Sequence, residues 1–290
     1  MTLRSNSGEA PSGHPDPDAT APAPFGEGRI GDAFRTARDD GRAALMPYMM
    51  AGFPDQASSL AIASAYAENG ADLIELGIPF SDPLADGPTI HAAATAALAA
   101  GATTETALEI CESVAGLVPV TLMVYANMVL AHGGAEEFAG RAADAGAAAV
   151  IVPDLPLGES DSAREAFAGA GLDLVPLLAP TTSPERRAEI CAEASGFVYL
   201  VSTLGTTGER DELPKGLADL IDAAKADAEV PVAVGFGIGT PAQAATVGER
   251  ADGVIIGSRL VRAAAEAGSA DAAADAVGAF LRETRVALGG

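Results

Sequence analysis

The chain has no tryptophan, two lysines, two cysteines and three histidines among its 290 residues, and each shortage excludes a class of protein. With Lys215 and Lys225 as its lysines and a net charge of −23, it lacks the clustered cations that nucleic acid or an anionic membrane surface requires. Cys111 and Cys191 stand singly, with neither a CxxC pair nor the spaced set of a disulfide framework. They read as packed thiols in a reducing compartment. His14, His91 and His132 are scattered, so no metal site follows from their spacing. No apolar run reaches the length of a membrane span. The opening stretch, residues 1–28, has no apolar core of a secretory signal, and its Pro, Ser, Gly and Asp content reads as a disordered tail. The expectation is a cytoplasmic protein.

What is present is a core material of small and aliphatic residues. Half the chain is hydrophobic, with only nine Phe and four Tyr, so the interior must be Ala, Val, Leu and Ile. Short apolar runs alternate with longer Ala-rich amphipathic ones. The strand candidates are ALMPYMM (44–50), DLIELG (72–77), PVTLMVY (119–125), AAVIVPD (148–154), LDLVPLL (172–178), GFVYLVS (196–202), VPVAVGFG (230–237) and DGVIIGS (252–258). Helical patterns such as QASSLAIASAYAENG (56–70) and SPERRAEICAEAS (183–195) lie between them. Several end as NGADLIEL does (69–76), where a glycine stops the helix and the next buried strand begins.

Strands each followed by a helix predict an all-parallel sheet, and eight is the number that closes into a barrel. A doubly wound open sheet fits the alternation too, but it calls for a GxGxxG turn after the first strand, and MMAGFPDQ (49–56) is not one. The expected architecture is one eight-stranded (β/α)8 barrel over residues 29–290. GRIGDAFRTARDDGR (28–42) adds a helix in front, and one or two helices close the chain after Ser258.

In such barrels chemistry gathers at the carboxyl ends of the strands. Glu75 lies near the end of the second strand among Leu73, Ile74, Leu76 and Ile78, and alternation points it into the lumen with Leu73. Desolvation there would raise its pKa and make it a proton donor near neutrality. The bland reading is a carboxylate held by lumen hydrogen bonds. Asp82 and Asp86 follow in a proline-stiffened loop ahead of a helix opening at Pro88, and taken alone they read as turn formers or helix-start acids. The later strands end in STLGTTG (202–208), GFGIGT (235–240) and IIGS (255–258), where backbone N–H groups can close on a phosphate. Neither lysine stands at a strand end, so a Schiff-base aldolase does not fit. Acid–base chemistry by carboxylates on a phosphorylated substrate remains.

ELGIPFSDPLADGPTI (75–90) resembles the signature of the tryptophan synthase α subunit family. VYAN (124–127), VPDLP (152–156), GFVYLVSTLGTTG (196–208), GFGI (235–238) and IIGS (255–258) follow in the family's order. The resemblance implies a barrel that cleaves indole-3-glycerol phosphate to indole and glyceraldehyde 3-phosphate, a carbon–carbon lyase using neither metal nor organic cofactor. It implies Glu75 and Asp86 as the catalytic acids, and Tyr125, Tyr199 and Thr207 as substrate-binding residues. Gly208, Gly237, Gly257 and Ser258 match the phosphate positions. Pro79, Asp82 and Asp154 match surfaces facing a pyridoxal-phosphate β subunit in an α2β2 assembly. The stretch 202–216 matches the family's mobile loop. YMMAGFPD (48–55) is more apolar than the family's usual form. A free-standing indole-glycerol phosphate lyase would share the catalytic residues, and a non-catalytic phosphate-binding barrel would not need both acids.

Overall fold

Nine strand segments form one parallel sheet in the computed structural model, which describes residues 28–131, 133–159, 161–202, 213–235 and 237–289. They are β1 (Ala44–Met50), β2 (Ile74–Gly77), β3 (Val120–Met123), β4 (Ala149–Ile151), β5 (Asp173–Val175), β6 (Leu177–Leu178), β7 (Val198–Val201), β8 (Val232–Gly235) and β9 (Gly253–Ile256). Their order is β5-β4-β3-β2-β1-β9-β8-β7-β6. The two ends of the sheet, β5 and β6, are the halves of the single fifth strand expected at 172–178. Pro176 divides them because it has no N–H to give a ladder. Its carbonyl still accepts from Tyr199 N at 3.0 Å. The chain itself thus joins the two edges, and the sheet forms a nearly closed barrel.

Helices alternate with the strands on the outside. α1 (Arg29–Asp39) precedes β1, and α2 (Gln56–Glu68) leads to β2. α2 starts at Asp55, whose side chain accepts from Ser58 N, and ends before Gly70, which has φ of 99° and turns the chain back into the sheet. Two helices, α3 (Pro88–Ala99) and α4 (Thr104–Ala115), fill the crossover to β3. α5 (Ala126–Leu130) and α6 (Gly134–Asp144) lead to β4, and α7 (Asp161–Gly169) to β5. α8 (Pro184–Ala192), α9 (Leu217–Asp227) and α10 (Pro241–Gly248) follow β6, β7 and β8. α11 (Ser258–Glu266) and α12 (Ala270–Ala287) close the chain. Among the described residues no helix is long and apolar enough to cross a membrane.

Alternate strand residues point inward, and the lumen is filled in layers. Its lower part holds Met46, Leu73, Phe197 and Ile255. α1 plugs that end with Ile30 and Phe34, the Phe34 ring lying 5.8 Å from Phe197. Gly253 makes room for the plug, since a Cβ there would meet Phe34 Cε1 at 2.8 Å. Below β1 and β2, Asp72 fastens the structure. It takes Arg42 on both oxygens at 2.6 and 2.9 Å, Leu45 N at 2.7 Å and Arg285 from α12 at 3.2 Å. One end of the barrel is therefore sealed, and only the carboxyl ends of the strands remain open. The tail expected at 1–28 lies, except for Gly28, outside the described residues.

Candidate active site

Parallel register sets the open end. Tyr48 on β1, Glu75 on β2 and Thr121 on β3 are consecutive Cα partners across the sheet, so all three side chains face the lumen at one level. Glu75 is only 2% exposed. Its Oε2 is buried with no hydrogen-bond partner among the described residues. Burial pushes this carboxyl up to about 8, and the Asp86 charge adds to the rise. At neutral pH Glu75 is mostly a neutral acid.

Asp86 reaches the same space from the loop that precedes α3. Tyr125 donates to its Oδ1 at 3.0 Å, and Ala85 N–H donates to the Tyr125 hydroxyl at 3.1 Å, which fixes the tyrosine. Phe80 stacks on Tyr125 with centroids 5.1 Å apart, so ring and loop brace one another. Burial raises the Asp86 carboxyl, while the Tyr125 hydrogen bond and the His91 charge pull it down.

These acids open onto a pocket at the carboxyl ends of the strands. Ile90, Met123, Pro153, Leu177, Ile238 and Ile255 give it apolar walls. Tyr199, Gly237, Gly257 and Ser258 line its other side. Gly237 has φ of 83°, and Gly257 caps the start of α11, so the first backbone amides of that helix border the pocket. An apolar cavity with acids at one side and glycines with a helix start at the other can hold an apolar ring and an anion together.

Of the residues expected from sequence, Glu75, Asp86, Tyr199, Gly237, Gly257 and Ser258 meet in this pocket. Tyr125 enters it through Asp86. Thr207 and Gly208 lie outside the described residues, as do positions 203–212 of the expected mobile loop. On the expected partner face, Pro79 is buried, while Asp82 is exposed and takes a hydrogen bond from Ser81 Oγ at 2.5 Å. Asp154 is exposed and accepts from Ala126 N at 2.8 Å, fastening the start of α5.

Sequence reading missed Tyr48, which also lines the pocket. Its hydroxyl lies over Gly77, where a Cβ would come within 2.2 Å of it. Tyr199 lies over Gly235 in the same way, again at 2.2 Å from where a Cβ would stand. Each tyrosine is paired with the residue two before its glycine, Tyr48 with Glu75 and Tyr199 with Ala233. The signal was a glycine closing a strand beside a strand with an inward tyrosine. Burial holds both phenols well above their usual range, and the Glu75 charge acts on each.

Fold and site together define a class, the parallel α/β barrel that gathers its polar groups at the carboxyl ends of its strands, as barrel enzymes do. Within that class the family is specific. The family model described as "Tryptophan synthase alpha chain" matches residues 34–287. The chain is 48% identical to the tryptophan synthase alpha chain of Carboxydothermus hydrogenoformans, over 80% of this chain and 88% of that relative. It is 44% identical to the one from Prochlorococcus marinus, over 94% of this chain and 99% of the relative. Among solved structures it is similar to Mycobacterium tuberculosis tryptophan synthase, with a TM-score of 0.83 and 38% identity over 90% of this chain and 98% of that one. The chain belongs to the tryptophan synthase alpha chain family.

Proposed function

We propose that this protein cleaves indole-3-glycerol phosphate into indole and glyceraldehyde 3-phosphate as the α subunit of a tryptophan synthase, a carbon–carbon lyase of tryptophan biosynthesis. The observation that carries this reading is Glu75, a buried acid with an unpaired oxygen in an apolar pocket.

The cleavage is a retro-aldol step, and indole C3 must first become an electron sink. Glu75 gives its proton to C3, and the ring nitrogen takes up positive charge as an indolenine cation. Asp86, with one oxygen held by Tyr125, accepts a hydrogen bond from the ring N–H and stabilises that charge. Glu75, now a carboxylate, takes the proton of the glycerol hydroxyl next to C3. The carbonyl forms, the C–C bond breaks, and its electron pair returns to the ring. Glu75 ends with one proton, as it began.

The remaining roles follow the pocket's two sides. Ile90, Met123 and Ile255 pack the indole, with Tyr199 beside them, and the amides around Gly237, Gly257 and Ser258 receive the phosphate. Thr207 and Gly208 are assigned to the same substrate from the family pattern. No cofactor enters the step.

A β subunit carrying pyridoxal phosphate is the proposed partner, in an α2β2 assembly. Support comes from the open end of the barrel, where Leu84 is 83% and Leu130 56% exposed on segments that follow the neighbouring strands β2 and β3. Exposed Leu side chains on adjoining loops suit a protein interface. Asp82 and Asp154 lie in the same loop cluster. We also read residues 29–290 as one catalytic domain and the protein as cytoplasmic.

The test is indole release from indole-3-glycerol phosphate by the purified protein, alone and with a β subunit. Indole and glyceraldehyde 3-phosphate in equal amounts, formed faster with the β subunit, are expected. Equal rates in the two assays would identify a free-standing lyase, and no indole in either would overturn the reading.

A further inference from the structure

Glu75 is not the only unsatisfied group at its level. Thr121, its Cα partner on β3, is 1% exposed, and its hydroxyl is also buried with no partner among the described residues. Beyond it on β4 the next partner is Ala149, which offers nothing polar. A threonine hydroxyl in an apolar lumen is a cost that an isosteric valine would avoid, since an unpaired buried hydroxyl loses its bonds to water. Two unpaired oxygens on in-register neighbours stand on strands about 4.8 Å apart, side chains on the same face. A glutamate can reach a threonine over that span directly or through one bound water.

We infer that Thr121 is a positioning residue for the acid–base work of Glu75, its hydroxyl serving as hydrogen-bond partner to the carboxyl in both protonation states. A hydroxyl suits this part because it can donate to a carboxyl oxygen in either state. It donates to the carbonyl oxygen of the protonated acid and so leaves the acid's own O–H aimed at the substrate. Once the proton has gone to indole C3, the same O–H donates to a carboxylate. Hydrogen bonds to an ion are the stronger kind, so Thr121 favours the ionised form. It thereby limits how far burial lifts the acid, which must act as a base in the second half of the cycle. A group held fully protonated could give a proton but not take the next one. Among the described residues, the titratable groups facing Glu75 are Tyr48 from β1, Asp86 from the loop after β2 and Tyr199 from β7. None of the three is a cation, so none offsets the charge of the ionised carboxylate as a basic side chain would.

The inference rests on the proposed reaction, and its test separates the two. Thr121→Val removes the hydroxyl and keeps the shape, while Thr121→Ser keeps the hydroxyl. The pH profile of kcat is measured for both variants, the wild type and Glu75→Gln. In Thr121→Val the inflection assigned to Glu75 should move up by about one unit, with kcat near neutrality down about tenfold and KM little changed. Thr121→Ser should return both to the wild-type values. An unshifted profile in Thr121→Val, or an equal shift in Thr121→Ser, overturns the inference while leaving the reaction standing if Glu75→Gln is inactive. Wild-type turnover in Glu75→Gln would overturn both.

Discussion

Asp72 and Glu75 enclose Leu73 and Ile74 at β2, and both are acids removed from water, yet their surroundings differ completely. Asp72, just below the strand, is held by the guanidinium groups of Arg42 and Arg285 and by the N–H of Leu45. Its side chain is 9% exposed and the Arg42 side chain is fully buried. Among the described residues, Glu75, nearer the open end, has no cation beside it and one oxygen with no partner. One acid is neutralised by fixed partners and joins β1, β2 and α12. The other is left to be neutralised by a proton, and a proton can be passed on. The difference shows how one strand serves stability at the sealed end of the barrel and chemistry at the open end.

The largest effects should separate the two acids. Glu75→Gln keeps size and polarity but removes the titrating group, so turnover should fall by roughly 10²–10⁴ with substrate affinity little changed. Near-normal turnover would end the assignment. Asp72→Asn should do the reverse. It leaves the buried Arg42 without its main partner and should cost about 3–5 kcal/mol in urea denaturation, with kcat per folded molecule preserved. Lost turnover at unchanged stability in that variant would erase the distinction between the two ends.

A second contrast concerns glycine. Gly237 has φ of 83°, so any side chain there strains the backbone whether or not a ligand is present. At Gly257 an added Cβ would come no nearer than 3.6 Å to Tyr48, so the free protein has room for it. Gly257→Ala should thus fold normally and still raise KM about tenfold by crowding the phosphate against the first amides of α11. Glycerol phosphate binding measured by calorimetry should weaken in step. Unchanged binding would move the phosphate elsewhere.

The smallest effect is on stability against pH. The native Glu75 carboxyl titrates at about 8, against an ordinary value of 4.5. Between those values the folded protein keeps a proton that the unfolded chain releases. The contribution of Glu75 to stability is therefore fully present below about 4.5 and is lost as pH rises towards 8. Glu75→Gln has no such loss. Its denaturation midpoint should match the wild type near pH 4.5 and exceed it above pH 8, so the inactive variant becomes the more stable one.

Much of this was legible in the chain. The alternation of Leu73 and Glu75 gave the lumen direction, and Gly70 marked the return from α2 to β2. The acids and the glycine-rich ends after β8 and β9 fell in one pocket because register in a parallel barrel brings the carboxyl ends of the strands to one rim. What escaped was non-local. LDLVPLL reads as one strand because Pro176 is tolerated in an apolar run, and only the pairing of its halves with β4 and β7 shows the break. Tyr48 lay in a stretch marked only as unusually apolar, and its place depends on Gly77 of another strand. Thr121 gave no signal, since a β-branched residue in a strand needs no special reason. The hydrogen bond that holds Asp86 comes from Tyr125, far along the chain.

The central claim is that Glu75 is a neutral acid at the pH where the protein works. Infrared difference spectra between the wild type and Glu75→Gln isolate the C=O stretch of this one protonated carboxyl. The band should be present at pH 7 and fade with a midpoint near 8. A band already gone by about pH 6, as for an ordinary solvated carboxylate, would contradict the account.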